Sequence, residues 1–467
     1  MEKKAQFHTR HRSAAIDMVE GSLWKGILFI SLPLMASQVL QVLFNMADVA
    51  VVGKYSSPQA LGSVGSTTTL VTLFTGLLIG LGCGVNVKAA QFLGAKRERE
   101  LSESVHTALI LCTAAGAVIC VLCFVLAKGM LELLGTKEDL IDGAVLYFRI
   151  YAFGMPALGI FNFGNGVMSA NGDTKRPLAY LTAAGILNLA LNLFFVIVCG
   201  MAVEGVALAS IISQYLSAGL TLARLFRLKD ACGLSLSQLR IYRGRSGPIL
   251  ALGVPAGIQN AIFAVANLFI QAGVNTFDSV TVEGSSAAAN ADAIAFNVMA
   301  AFYTACSTFM GQNWGARKHK RVIQSYFISL IYSVATGLLV GLLFLFLGRE
   351  FLALFTNDAG VVETGMQRLR IMAFSYAVSP FMDCTIAASR GIGKSAVPTV
   401  IVIMGSCVFR VIWVYTIFAY FRTIPSLYLI YIFSWTITAI AEIIYFAVTY
   451  RRLNRAQELE AVAAPLK

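Results

Sequence analysis

Apolar stretches of about 20 residues, the length that carries an α-helix across a bilayer, recur along this whole chain and limit its fold more than any other feature. In lipid every backbone N–H and C=O needs a partner within the protein, so such runs fold as helices. Twelve fit, at 24–50, 59–83, 104–127, 145–169, 179–200, 203–226, 248–273, 288–312, 325–347, 367–389, 397–420 and 427–450. An all-α polytopic membrane protein is expected; with 57% hydrophobic and 13% charged residues and a mean hydropathy of +0.74, the chain lies far from a soluble domain. The segment before Ser22 is polar and basic (Lys3, Lys4, Arg10, Arg12) and leads into a full-length apolar run with no small-residue cleavage signature. It reads as a retained signal anchor.

Lysine and arginine sort onto alternate loops. Clusters lie before the first run and at Lys96/Arg97/Arg99, Lys175/Arg176, Arg224 to Arg245, Arg317 to Arg321, Lys394 and Arg451/Arg452/Arg455. The opposite loops hold scattered Lys54, Lys128, Lys137, Arg349 and Arg422, with acids such as Glu138, Asp139, Asp142, Asp358 and Glu363. The positive-inside rule then places both termini in the cytoplasm of a cell (inner) membrane. It also accounts for the net charge of +12 without a nucleic-acid partner. Most of the nine cysteines lie inside apolar runs. Cys120 and Cys123 have C-x-x-C spacing but no second ligand pair, and His8, His11, His106 and His319 form no ligand motif, so neither a zinc site nor a resident cofactor is expected. There is no phosphate-binding G-x-x-x-x-G-K-[ST] loop.

The chain repeats itself at an offset of about 221 or 222 residues. Q-F-L-G-A-K-R at Gln91 answers Q-N-W-G-A-R-K at Gln312, F-R-I-Y-A-F at Phe148 answers L-R-I-M-A-F at Leu369, G-D-T-K-R-P at Gly172 answers G-K-S-A-V-P at Gly393, and Pro33 answers Pro255. This predicts two six-helix bundles related by pseudo-two-fold symmetry, a scaffold used for alternating access. The expected parts are a cytoplasmic N-terminal tail (1–23), an N-lobe (24–226), a cytoplasmic linker (227–247), a C-lobe (248–450) and a cytoplasmic C-terminal tail (451–467).

The chemistry is not repeated. In the first run Gln38, Gln41, Asn45 and Asp48 share one helical face. A carboxylate at membrane depth is costly unless solvated, protonated or ion-bound, so Asp48 is a candidate for an ion pathway. The alternatives are a helix-end capping Asp48 and, for Pro33, a passive kink in place of a hinge. The second half has Ile270 at the place of Asp48 and Arg410 or Phe409 at that of Asn188. Further polar residues fall in the first half: Asn162, Asn165 and Ser169 in the fourth run, Asn188 and Asn192 in the fifth, Ser210, Ser213 and Gln214 in the sixth. Their oxygens suit a hard cation or a hydrated proton site, and interhelical hydrogen bonding is the competing reading. In the second half Asp292, Asp383, Arg390 and Arg410 lie within or near runs. Arg390 reads as a marker of the cytoplasmic end, Asp383 as a candidate partner for Arg410, and Glu442 as a residue that snorkels or bonds within the bundle.

The stretch L-F-N-M-A-D-V-A-V-V-G-K, the G-A-K-R and G-A-R-K loops and S-A-N-G-D-T-K-R-P together resemble the multidrug and toxic compound extrusion (MATE) family from Leu23 to Tyr450. The resemblance implies two six-helix lobes around a central cavity, and export of organic cations or amphipathic drugs in exchange for H+ or Na+. It is closer to the DinF-like than to the NorM-like branch. DinF-like members carry the ion-coupling role onto Asp48, Asn162, Asn188, Asn192 and Ser210, with Na+ possible at Asp48; Asn192 departs from the second Asp often found there. The acids that NorM-like members use in the seventh and tenth spans do not transfer: P-A-G-I-Q-N-A-I-F has none, and Asp383 is about one turn out of register. Gln38, Gln41, Asn45, Asn165, Gln259, Asp383 and Arg410 are candidates for the substrate cavity. A monomer that binds small molecules and is not an enzyme is expected. The alternative is a flippase for a lipid-linked cell-envelope precursor, whose relatives often have about fourteen spans and a strongly cationic cavity.

Overall fold

The structure, a computed structural model, describes residues 16–463. Lys3, Lys4, Arg10, Arg12, His8 and His11 lie outside the described residues. The first half contains α1 (Leu23–Tyr55), α2 (Pro58–Gly94), α3 (Glu98–Leu133), α4 (Glu138–Ala152), α5 (Met155–Ala170), α6 (Lys175–Leu193) and α7 (Val203–Arg227). The second contains α8 (Ser246–Val274), α9 (Ser279–Gly315), α10 (His319–Ala353), α11 (Ala359–Gly391), α12 (Ala396–Val402), α13 (Phe409–Trp413), α14 (Ala419–Phe421) and α15 (Ile424–Ala463). Eleven helical segments are long and apolar enough to cross a membrane, and twelve if the α4–α5 pair is one span.

That pair corrects the expectation of a single helix over 145–169. The chain bends by 47° between α4 and α5. The cause is local: Pro156 in the first turn of α5 has no N–H to give, and Gly154 closes onto the Tyr151 carbonyl at 2.9 Å. Elsewhere helices overrun the predicted spans because their polar flanks supply i, i+4 partners, as Arg99 and Glu103 do at 3.0 Å. The expected C-terminal tail is likewise helical through Ala463, as part of α15. The fifth and eleventh spans widen into π-helix at Phe194–Val198, Ile403–Val408 and Val414–Phe418. Two of these, Phe194–Val198 and Val414–Phe418, lie at nearly equivalent places of the two halves.

Each half buries its own apolar core, one around α2, α3 and α5, the other around α9, α11 and α15. The segment between α7 and α8 is docked on α3, where the Ser235 N–H donates to His106 Nε2 at 2.9 Å and Arg245 meets Glu103 at 3.0 Å. The halves meet along α2 and α8, and glycine is what lets the backbones touch: a Cβ on Gly80 would lie 2.1 Å from the Gly257 nitrogen. Helix α1 belongs to both sides. Leu23, Ile27 and Ile30 pack on Ala305 and Phe309 of α9, whereas Val51 and Val52 pack with Val203 and Val206 of α7. Pro33 lies between these two footings within a continuous helix, and Ser37 Oγ bonds its carbonyl at 2.9 Å.

Candidate functional site

The halves enclose a cavity of about 640 Å³ walled by α1, α2 and α4–α9 with α11. At one end it is shut by polar contacts between halves. Thr308 Oγ1 donates to Asn86 Oδ1 at 2.9 Å, and Asn313 Nδ2 to the Met18 carbonyl at 3.1 Å. Arg321 Nη2 reaches the Gly21 carbonyl at 2.7 Å, and Lys318 pairs with Glu20, which holds that exposed carboxyl below its ordinary range. This shut end carries the basic Lys96–Arg97 and Arg317–Lys318 turns.

The polar face of α1 stands on the cavity wall: Gln38, Gln41, Asn45 and Asp48 all line it. Asp48 Oδ1 accepts a hydrogen bond from Asn192 Nδ2 at 2.5 Å, and the same nitrogen lies 3.3 Å from Asn188 Oδ1. Helix α6 makes this possible because Asn188 and Asn192, one turn apart, are both buried against α1. Asn188 and Ser210 also line the cavity; Asn192 stands behind it, wholly buried, with its own Oδ1 unpartnered. Asn162 and Asn165 are on the α5 wall, where Asn162 Nδ2 bonds the Leu158 carbonyl at 2.9 Å and Asn165 Oδ1 accepts from Ser169 at 3.3 Å. Asn188 Oδ1 thus stands near the Asp48 carboxylate through the shared Asn192 amide, and Ser210 adds a hydroxyl to the same cavity. Tyr147 and Tyr151 of α4 line the same region, close enough to interact electrostatically with Asp48, and sequence reasoning missed them. They occur at i, i+4 in a run that reads as apolar, which gives no sign that they face a cavity.

The opposite wall is formed by Gln259 of α8, Tyr303 of α9 and Asp383 of α11. Asp383 Oδ2 accepts from Ser379 at 2.7 Å. Arg390, expected to mark a helix end, is on this wall instead and donates from Nη2 to Gln259 Oε1 at 2.8 Å. Among the described residues, Asp48, Asp383 and Arg390 are the charged ones lining the cavity.

Arg410 corrects two expectations: it does not line this cavity and forms no ion pair with Asp383. Its guanidinium is 2% exposed and lies 4.5 Å from the ring centre of Tyr431, 5.6 Å from Phe263 and 5.7 Å from Trp435. Nη1 reaches Asn267 Oδ1 at 3.4 Å. Aromatic faces are its direct contacts, and Asp383 acts on it only through space. Asp292, by contrast, is paired: Arg368 Nη2 meets it at 2.6 Å and Tyr376 donates to it. Arg368 was missed, because its partner lies on a different helix and no local spacing announces the pair.

The sequence profile of the MatE family matches residues 33–194 and 255–416, one match in each half, beginning at the two equivalent prolines. The chain belongs to the MATE family. Among its relatives, the probable multidrug resistance protein YpnP of Bacillus subtilis (strain 168) is 28% identical over 82% of this chain and 84% of its own length. The probable multidrug resistance protein NorM of Thermotoga maritima is 24% identical over 85% and 86%. A MOP-superfamily transporter from Pyrococcus furiosus has the same fold, with a TM-score of 0.88 at 21% identity over 94% of this chain and 99% of that one. The chain is therefore a multi-pass membrane transporter of the MATE family, with the family's repeated halves.

Proposed function

We propose that this MATE protein is a secondary active antiporter that exports organic cations or amphipathic drugs, with Asp48 as the group that couples export to an ion gradient. The observation that carries this is the Asp48 carboxylate on the cavity wall, fixed by Asn192 and opposed across the cavity by Asp383. Two acids and one arginine in an otherwise neutral cavity favour a cationic guest. They do not favour the lipid-linked pyrophosphate that a flippase would move, which calls for several cations.

Of the two coupling ions, H+ is the better match. Asn192 presents an N–H to Asp48, a bond that serves a carboxylate or a carboxyl but competes with a Na+ ligand. Na+ would gain a further oxygen donor if Asn192 turned its unpartnered Oδ1 towards Asp48, at the expense of the present N–H bond. Asn162, on the α5 wall of the same cavity, is included in the proposed ion path. We place the protein nearer the DinF-like branch, since α1 has the acid and α8 has none.

The basic, shut end is assigned to the cytoplasm by the positive-inside rule, with both termini and the 227–247 linker on that side of the inner membrane and the lobes at 24–226 and 248–450. A monomer suffices, because both walls of the cavity come from one chain. Inverted vesicles containing the protein should take up the fluorescent cation ethidium when a pH gradient is imposed. Uptake under a Na+ gradient alone would select the Na+ reading, and uptake under neither would refute antiport.

A further inference from the structure

The second half keeps a carboxylate that does not touch the cavity. Glu442 of α15 is fully buried, and neither carboxylate oxygen has a hydrogen-bond partner among the described residues. A protein tolerates such a group by pairing it or by keeping a proton on it.

Pairing is not what the structure shows. Helix α15 packs mainly against α11 and the helices of the eleventh span, and also touches α8, α9, where Trp435 meets Phe296, and α10, where Phe446 meets Tyr326. Of the titratable groups on α9 and α10, Asp292 is paired with Arg368, Tyr326 bonds Thr385, and Tyr303 stands on the cavity wall. Helix α8 contains no charged residue. The eleventh span offers Arg410, which lies among its three rings and reaches Asn267 with its own Nε unpartnered, besides Cys407, Tyr415 and Tyr420; none of them acts on Glu442. Helix α11 supplies the two charged groups that act on Glu442 electrostatically, Arg390 and Asp383. Neither is bonded to it. Arg390 donates to Gln259, and Asp383 accepts from Ser379.

Both of these residues also line the cavity, so one helix separates Glu442 from it. Arg390 has capacity in reserve: its Nε is buried and has no acceptor, while Glu442 has two oxygens without donors. A Glu442 that loses its proton becomes the natural partner for that guanidinium, and Arg390 then leaves Gln259.

We propose that Glu442 is a second carrier of a transported proton, linked to the cavity through Arg390 and Asp383. At rest the Glu442 carboxyl holds its proton. Occupation of the cavity by a cation displaces Arg390 from Gln259 towards Glu442. The proton leaves the Glu442 carboxyl, is taken up by the Asp383 carboxylate and passes to the cavity; the Glu442 carboxylate is left paired with Arg390. Reprotonation reverses each step. The proposal rests on the proton-antiport reading of Asp48, from which the experiment separates it.

Proton release on ethidium binding is measured with a pH indicator in weakly buffered detergent solution, using the full-length wild-type protein, Glu442→Gln, Asp48→Asn and the double variant. Each single variant is expected to lose about half of the wild-type release, and the double variant all of it. Wild-type release from Glu442→Gln, with release lost in Asp48→Asn, overturns this inference and leaves the antiport reading intact. Wild-type release from Asp48→Asn removes the antiport reading whatever Glu442 does. An arm that needs no ligand uses infrared spectroscopy: a protonated-carboxyl band present in the wild type and absent from Glu442→Gln should vanish as the pH is raised. A band that persists at alkaline pH means a permanently neutral, structural Glu442 and overturns the proposal.

Discussion

Gln91 and Gln312 make the same bond in opposite directions across the two halves. Gln91 Nε2 donates to the Gly391 carbonyl at 2.9 Å, and Gln312 Nε2 to the Ala170 carbonyl at 2.7 Å. Both donors are separated by about 221 residues, and so are both acceptors. Each acceptor is the last residue of a helix, α11 or α5, whose terminal carbonyls have no partner within the helix. The pseudo-two-fold relation thus becomes a reciprocal capping contact that holds the basic end shut.

Gln91→Ala and Gln312→Ala should each weaken the shut end by about 1 kcal/mol, the worth of one such bond, and the effects should be similar. Spin labels at Lys96→Cys and Lys320→Cys would show a longer, broader distance distribution in either variant. A change in only one of them would mean that the two contacts are not equivalent.

Sidedness is tested separately. In a background lacking the native cysteines, Lys96→Cys and Lys320→Cys should label only from the cytoplasm, and Lys137→Cys and Asp358→Cys only from outside. Labelling of all four from one side is incompatible with twelve spans.

Pro33 stands where α1 passes from its packing on α9 to its packing on α7. If the halves rock against each other, the strain on α1 falls there, at a position already lacking one backbone hydrogen bond. Pro33→Ala is expected to slow ethidium turnover while leaving ethidium affinity unchanged. An unchanged turnover rate would remove the hinge role.

Asn192→Asp would face Asp48 with a second carboxylate in place of an amide donor. Two like charges at that separation do not both ionise readily, and together they attract a cation. The expected result is a shifted pH profile of transport with new Na+ sensitivity, in protein that inserts normally. An unaltered ion dependence would show that Asn192 serves packing alone.

How far the sequence reached follows from the range of each interaction. The spans, the repeat and the face carrying Gln38 to Asp48 are periodic signals within one helix, and they are plain in the chain. Asn188 and Asn192 show the same one-turn spacing, though only the fold shows which of the two meets Asp48. The Arg368–Asp292 pair and the aromatic surroundings of Arg410 join separate elements, so no local pattern carries them. Charge alone pairs Arg410 with Asp383, whereas the aromatic faces that Arg410 meets leave no mark in the sequence around it. The bend between α4 and α5 escaped because the residues on both sides of Gly154 are apolar, and hydropathy averages over a kink.

The account depends most on Asp48. Neutralising it makes burial of α1 less costly by an amount on the order of a few kcal/mol, enough to redistribute two conformations that differ by a similar amount. Asp48→Asn fixes that neutral state, and Asp48→Glu should retain partial activity with a shifted pH profile. The direct measurement is ethidium uptake into inverted vesicles under an imposed pH gradient, comparing wild type with Asp48→Asn at equal amounts of inserted protein. The predicted result is gradient-driven uptake by the wild type and none by Asp48→Asn, with ethidium binding retained; uptake by Asp48→Asn at the wild-type rate and with the same gradient dependence would contradict the coupling role.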